Sequence, residues 1–73
     1  MDDFLCMISV YRDGRGFVAR RYNLVPGGGV QQTDECRKGS LKDVRSWIKE
    51  NHPGLVMFKK DEHDDKDVYE SWW

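Results

Sequence analysis

The sequence has no long hydrophobic run, few cysteines and almost no net charge, and each lack argues against a class of protein. No apolar run approaches the roughly 18 residues that span a bilayer, so no membrane contact is expected. The two cysteines, Cys6 and Cys36, are too few and too far apart for a disulfide framework. The net charge of −1 does not fit a strongly basic nucleic-acid binder.

The remaining composition fits one small folded domain. A chain of 73 residues has room for a single core, so residues 1–73 are expected to form one domain. Hydrophobic residues make up 38%, and the three Trp, three Tyr and three Phe supply much of their area. The first residues lack the basic segment of a signal peptide. These features predict a domain in the cytoplasm.

The first two elements are predicted to be strands joined by a tight turn at Asp13 and Gly14. An Asp-Gly pair between apolar runs is a strong hairpin signal, because both central turn residues need positive φ. The expected pairs are Val10 with Phe17, Ile8 with Ala19, and Cys6 with Arg21. Alternation then places an apolar set on one face: Cys6, Ile8, Val10, Phe17 and Ala19. The opposite face is predicted to be amphipathic and partly wet, with Met7, Ser9, Val18, Arg20 and Tyr22.

The next segment, residues 25–39, is predicted to be a long loop. It opens with Pro26 and three glycines and then shows no clear hydrophobic period. Loops of this length in a small domain are usually mobile or functional. Within it, residues 30–33 could pair briefly as an edge strand.

A helix is predicted from Ser40 to just before Pro53. Ser40 and Asp43 have the spacing of a capping box. The apolar positions then follow helical spacing at Leu41, Val44, Trp47 and Ile48. The residue before a proline is pushed out of the α region, which ends the helix.

The chain closes with two more predicted strands, Leu55 to Phe58 and Val68 to Trp73, joined by a charged turn. The expected order is ββαββ. This is an α+β fold in which one amphipathic helix packs on one face of a small antiparallel sheet. One of Trp72 and Trp73 is expected to lie under the helix and the other to be exposed.

The residue patterns of known catalytic and metal sites do not occur. No serine lies in a nucleophile elbow, and paired carboxylates occur only in the charged turn, so no enzyme is expected. Cys6, Cys36, His52 and His63 match no zinc spacing. The charged turn lacks the central glycine and final glutamate of a calcium loop. The three glycines at 27–29 lack the Lys-Ser/Thr pair and adjoining helix of a phosphate loop. No cofactor is therefore expected.

Charge is unevenly distributed along the chain. Residues 1–46 hold eight bases and six acids, whereas residues 47–73 hold four bases and seven acids. An acidic turn thus precedes two tryptophans, and aromatic side chains flanked by charge are typical of protein-binding hot spots. The residues predicted to contact a partner are Asp61, Glu62, Asp64, Asp65, Glu70 and Trp73.

A basic helix face offers an alternative surface. Lys42, Arg45 and Lys49 lie on the predicted helix away from its apolar stripe, and Arg20, Arg21 and Tyr22 could extend the patch. Basic grooves with aromatic neighbours bind single-stranded nucleic acid. A small nucleic-acid-binding accessory protein is therefore the alternative hypothesis.

Several short motifs together resemble a group of small uncharacterised phage and prophage proteins. They are Tyr11-Arg12-Asp13-Gly14-Arg15-Gly16-Phe17, Ser40-Leu41, Pro53-Gly54-Leu55, Asp64-Asp65 and Val68-x-Glu70-x-Trp72. The resemblance implies phage origin and a place in the host cytoplasm. It implies no catalytic activity.

Phage proteins of this size without catalytic residues commonly occupy a host machine, and anti-CRISPR proteins are similar in scale and acidic surface. The leading hypothesis is therefore a non-catalytic inhibitor of a host defence complex, either a protein or a ribonucleoprotein. Its acidic turn would compete with nucleic acid for a basic channel. A structural phage component that forms large oligomers is a third possibility.

Overall fold

A computed structural model describes residues 5–59 and 68–73, which form five strands and one helix. The elements in chain order are β1 (Cys6–Asp13), β2 (Gly16–Val25), β3 (Gly29–Gly39), α1 (Leu41–Asn51), β4 (Met57–Lys59) and β5 (Val68–Trp72). The strands form one antiparallel sheet in the order β3-β2-β1-β5-β4. The α+β class, with a helix on one face of an antiparallel sheet, is confirmed. No helix in these residues has the length and apolar character needed to cross a membrane.

The β1–β2 hairpin differs in register from the predicted one by two residues. Asp13 pairs with Gly16, so Gly14 and Arg15 are the central turn residues. Gly14 has a φ of 60°, and no described non-glycine residue has positive φ. A turn with glycine at its first central position satisfies this requirement and leaves Arg15 unstrained.

A shift of two residues leaves every side chain on its predicted face, because alternation along a strand has a period of two. Val10 now pairs with Ala19, and Ile8 pairs with Arg21. Ile8, Val10 and Ala19 are fully buried under the helix, which confirms the predicted core face.

The Gly14→Val variant is expected to lower the free energy of unfolding by about 1–2 kcal/mol, because valine must adopt a left-handed conformation there. The matched control is Gly54→Val. An added Cβ meets no atom within 4 Å at either position, and only Gly14 has positive φ. Urea denaturation of both variants measures the difference. Equal losses of stability would contradict the turn assignment.

The segment predicted as a loop is in the main a strand. The chain turns at Pro26 with Gly27 and Gly28 at positive φ, and β3 then runs beside β2 to Gly39 as the edge of the sheet. The order is therefore βββαββ, with one strand more than predicted. Most β3 side chains are exposed on both faces, so the strand has no alternation of apolar and polar residues. Its pairing also breaks between Arg20 and Tyr22, which disturbs any pattern further.

The helix agrees with the prediction. The Ser40 hydroxyl accepts a hydrogen bond from the Asp43 backbone N–H at 3.1 Å, and the Asp43 carboxylate accepts one from the Ser40 N–H at 3.2 Å. This capping box satisfies two backbone donors at the helix start. Val44 and Ile48 are fully buried, and Leu41 and Trp47 pack at the margin of the core.

The C-terminal strand, β5, pairs with β1 and adds Trp72 to the core. Trp72 is 5% exposed and packs with Ile8 and Ile48, whereas Trp73 is 48% exposed. The predicted division of roles between the two tryptophans is thus observed. The preceding strand, β4, begins two residues later than predicted, at Met57.

Candidate functional site

The sheet face opposite the helix carries most of the exposed large hydrophobic side chains. Strand pairing and alternation place five of them there: Leu5, Val30, Val56, Phe58 and Trp73, which are between 48% and 73% exposed. Met7, Tyr11, Val18, Tyr22 and Leu24 extend the same surface across β1 and β2. We call this surface the apolar sheet face. Scattered exposed apolar residues are ordinary, but a contiguous group marks a contact surface.

The exposed aromatic side chains of this face are Phe58 in β4 and Trp73, which follows β5 directly. Val56 and Trp73 exchange two backbone hydrogen bonds of 2.8 and 3.0 Å, so their side chains are direct neighbours. Phe58 pairs with Ser71. The small side chain of Ser71 leaves room beside the rings of Phe58 and Trp73. We call Val56, Phe58 and Trp73 the aromatic patch. Large aromatic side chains in such a setting are the anchors that dominate binding energy at protein interfaces.

The centre of the apolar sheet face is occupied by two tyrosines. The hydroxyl oxygens of Tyr11 and Tyr22 are 3.2 Å apart, and Ser9, which lies between them in the register, is only 4% exposed. Burial and the hydrogen bond with Tyr11 raise the pKa of Tyr22 to about 12, against the opposing charge of Arg20. The Tyr22 phenol therefore stays neutral at physiological pH, which suits an apolar contact.

Glu70, predicted to contact a partner, lies in the interior. Its side chain is 2% exposed. Its carboxylate accepts hydrogen bonds from the Arg45 Nη2 at 2.6 Å and Nε at 3.2 Å, and from the Trp72 Nε1 at 2.8 Å. The position follows from β5 alternation, which turns residues 70 and 72 toward the helix. Glu70 therefore adds no charge to the protein surface in this fold.

The other predicted contact residues divide into two groups. Asp61, Glu62, Asp64 and Asp65 lie outside the described residues, in the segment that connects Lys59 of β4 to Val68 of β5. Trp73 belongs to the aromatic patch. The acidic segment thus connects, along the chain, the two strands next to the aromatic patch. Sequence reasoning singled out neither Phe58 nor Val56.

The alternative basic surface is partly occupied within the protein. Lys42 and Lys49 are exposed on α1, but the guanidinium of Arg45 binds Glu70. This hydrogen bond raises the pKa of Arg45, while burial acts in the opposite direction. Two exposed lysines are a weak basis for a nucleic-acid site.

A second polar cluster, absent from the sequence predictions, joins β2, β3 and the end of α1. Glu35 binds the Arg21 Nη1 at 3.0 Å and the His52 Nε2 at 2.6 Å. Burial raises the pKa of Glu35, but the hydrogen bonds from His52 and Arg21 outweigh it and hold the pKa below its usual value. The three residues are far apart in sequence, so only the register of β3 brings them together.

The polar cluster is structural and does not form a metal centre. Within residues 5–59 and 68–73, no group of three or more His, Cys, Asp or Glu side chains could hold a metal ion. Cys6 and Cys36 are free thiols. The cluster fixes β3 and the helix end to the rest of the sheet.

No family model, curated protein or solved structure matches this chain. The candidate functional surface is the apolar sheet face with its aromatic patch.

Proposed function

We propose that this is a non-catalytic binding protein that acts by contacting another protein through its apolar sheet face. The supporting observation is that five exposed large hydrophobic side chains share that face and that Phe58 and Trp73 are neighbours within it. The surface contains many aliphatic residues and, on its central strands, the single cation Arg20. Sites that bind single-stranded nucleic acid instead combine aromatic and basic residues.

The partner is a protein surface with an apolar centre and basic surroundings. An apolar contact area surrounded by charge is the usual composition of a protein interface. The segment between Lys59 and Val68 contains five acids and two lysines, and in the chain it joins the two strands next to the aromatic patch. Opposite charges around a contact accelerate association more than they add to affinity.

Such a partner fits a host defence complex whose basic channel binds nucleic acid. Support comes from the likeness of the Tyr11–Phe17 segment and the later motifs to small phage proteins. Carboxylates also bind to the lysines and arginines that bind phosphate. The proposed activity is therefore anti-CRISPR-like inhibition in the host cytoplasm, without catalysis.

A phage-plating assay on cells with an active CRISPR complex tests the proposal. The wild-type protein is expected to restore plating, and the Phe58→Ser/Trp73→Ser variant to lose most of this effect because the anchors of the contact are gone. The matched control is Lys42→Ser/Lys49→Ser, which changes two exposed positions on α1. Circular dichroism should show that both variants are folded.

The acidic segment is tested by replacing Asp61, Glu62, Asp64 and Asp65 with Ser. Its removal is expected to slow association with the isolated complex, and most strongly at low salt, because carboxylates attract a basic partner over long range and salt screens that attraction. Loss of inhibition in the lysine variant but not in the patch variant would contradict the proposal. A salt-sensitive gel shift with DNA would then identify the basic helix face as the site.

A further inference from the structure

A cavity of about 540 Å³ opens on the helix side of the sheet, away from the apolar sheet face. The helix lies over β2 and β3, so it leaves the β5–β4 end of this face less covered. The described residues that line the cavity are Arg12, Arg45, Met57, Lys59, Val68, Tyr69 and Glu70. Ligand sites for small molecules have volumes of about 300–1,000 Å³.

The polar lining of the cavity favours an anion. Among the described lining residues, three are cationic, Arg12 from β1, Arg45 from α1 and Lys59 from β4, and one, Glu70, is acidic. That carboxylate, Glu70, already accepts hydrogen bonds from Arg45 and Trp72. Its charge balances Arg45, so Arg12 and Lys59 are in excess among the described lining residues.

Two of the cationic groups are held in position by their neighbours. Arg45 binds Glu70 through its Nε and one Nη, which fixes the plane of the guanidinium and leaves the other N–H donors for a ligand. The Arg12 guanidinium carbon lies 5.1 Å from the centre of the Tyr69 ring, and Phe17 packs against the same ring. Cationic groups that are ordered before binding lose less entropy when a ligand arrives.

The rest of the lining is apolar or aromatic. Met57 and the ring of Tyr69 form it, because Val68 pairs with Tyr11 and its side chain therefore lies on the opposite face of the sheet. Arginine forks match the oxygen geometry of phosphate, and the apolar lining can cover a hydrophobic body. We propose that this cavity binds a small phosphate monoester, with the phosphate at Arg12, Arg45 and Lys59 and an apolar or planar body at Met57 and Tyr69.

This inference is independent of the proposed function, because the cavity and the apolar sheet face lie on opposite sides of the sheet. The test is titration of the full chain by calorimetry and by amide NMR, with phenyl phosphate and AMP as probes. Inorganic phosphate and phenol are the comparison ligands. Saturable binding with shifts at Arg12, Lys59 and Tyr69 is expected, and binding of phenyl phosphate should be tighter than that of either comparison ligand.

The variants separate a built site from general charge attraction. Arg12→Gln and Lys59→Gln should each weaken phenyl phosphate binding by about tenfold, the usual size for loss of one charge-assisted hydrogen bond. Lys49→Gln removes the same charge from an exposed site outside the cavity and should change affinity less than twofold. The ratio of AMP to phenyl phosphate affinity distinguishes a nucleotide from a simpler ester.

Absence of saturable binding by both probes would overturn the proposal, as would equal weakening in Lys49→Gln. Equal affinity for phenyl phosphate and inorganic phosphate would overturn the role of the apolar lining. Arg45 is left unchanged in this series because its loss also affects the buried Glu70. Arg12 and Lys59 are exposed, so their replacement leaves the fold intact.

Discussion

The Arg45→Met variant is expected to lower the free energy of unfolding by about 2–3 kcal/mol. Removal of one partner from a buried ion pair typically costs about 3–5 kcal/mol, because the other charge stays desolvated. Glu70 meets this condition with a side chain that is 2% exposed, whereas that of Arg45 is 37% exposed. Partial hydration of the pair reduces the expected cost. Urea denaturation at neutral pH measures it.

Two further variants give this prediction its controls. Arg45→Met/Glu70→Gln should recover most of the loss, because the amide is neutral and its oxygen can still accept the hydrogen bond from Trp72. Lys42→Met removes an exposed cation from the same helix and should change stability by less than about 0.5 kcal/mol. If Arg45→Met and Lys42→Met lose equal stability, the ion pair is not a buried one.

The helix and the core face of the first hairpin could be predicted because local rules decide them. Ser40 and Asp43 form their capping box within one turn, and Pro53 limits the helix from the other end. The face of Ile8, Val10 and Ala19 was also predictable despite a wrong register. The error was two residues, one full period of the strand, and burial depends only on parity.

The third strand was not predictable by the same rules. Alternation appears in a sequence only when one face of a strand is buried, and β3 is an edge strand with most side chains exposed. Its place depends on contacts distant in sequence, such as Glu35 with Arg21 and His52. No local pattern records such contacts.

Only the part of the candidate site that local composition indicates could be predicted. An aromatic residue near the C-terminus was expected at a contact surface, and the exposure of Trp73 agrees with that expectation. Its neighbours Val56 and Phe58 depended on the register of β4 with β5. Glu70 was predicted to be a surface acid, because composition does not show toward which face of the sheet a side chain points. Only the β5 register shows that it points toward Arg45.

The second large expected effect is a loss of stability on replacing Trp72. Its neighbour Trp73 has the same side chain but is half exposed, so it serves as the comparison. Trp72→Ala is expected to cost about 3–5 kcal/mol, the usual range for an aromatic residue in a core. Trp72 is 5% exposed and also donates a hydrogen bond to Glu70. Trp73→Ala should cost only about 1–2 kcal/mol, because about half of the ring is already in water.

Fluorescence and binding distinguish the same pair. Trp73→Ala should lose the component of emission that acrylamide quenches most readily, and Trp72→Ala should keep it, because only the first removes a half-exposed indole. Trp73→Ala should also weaken inhibition of the defence complex while remaining folded. If instead the two variants lose equal stability and Trp73→Ala inhibits normally, Trp73 is a packing residue and the aromatic patch is not the contact.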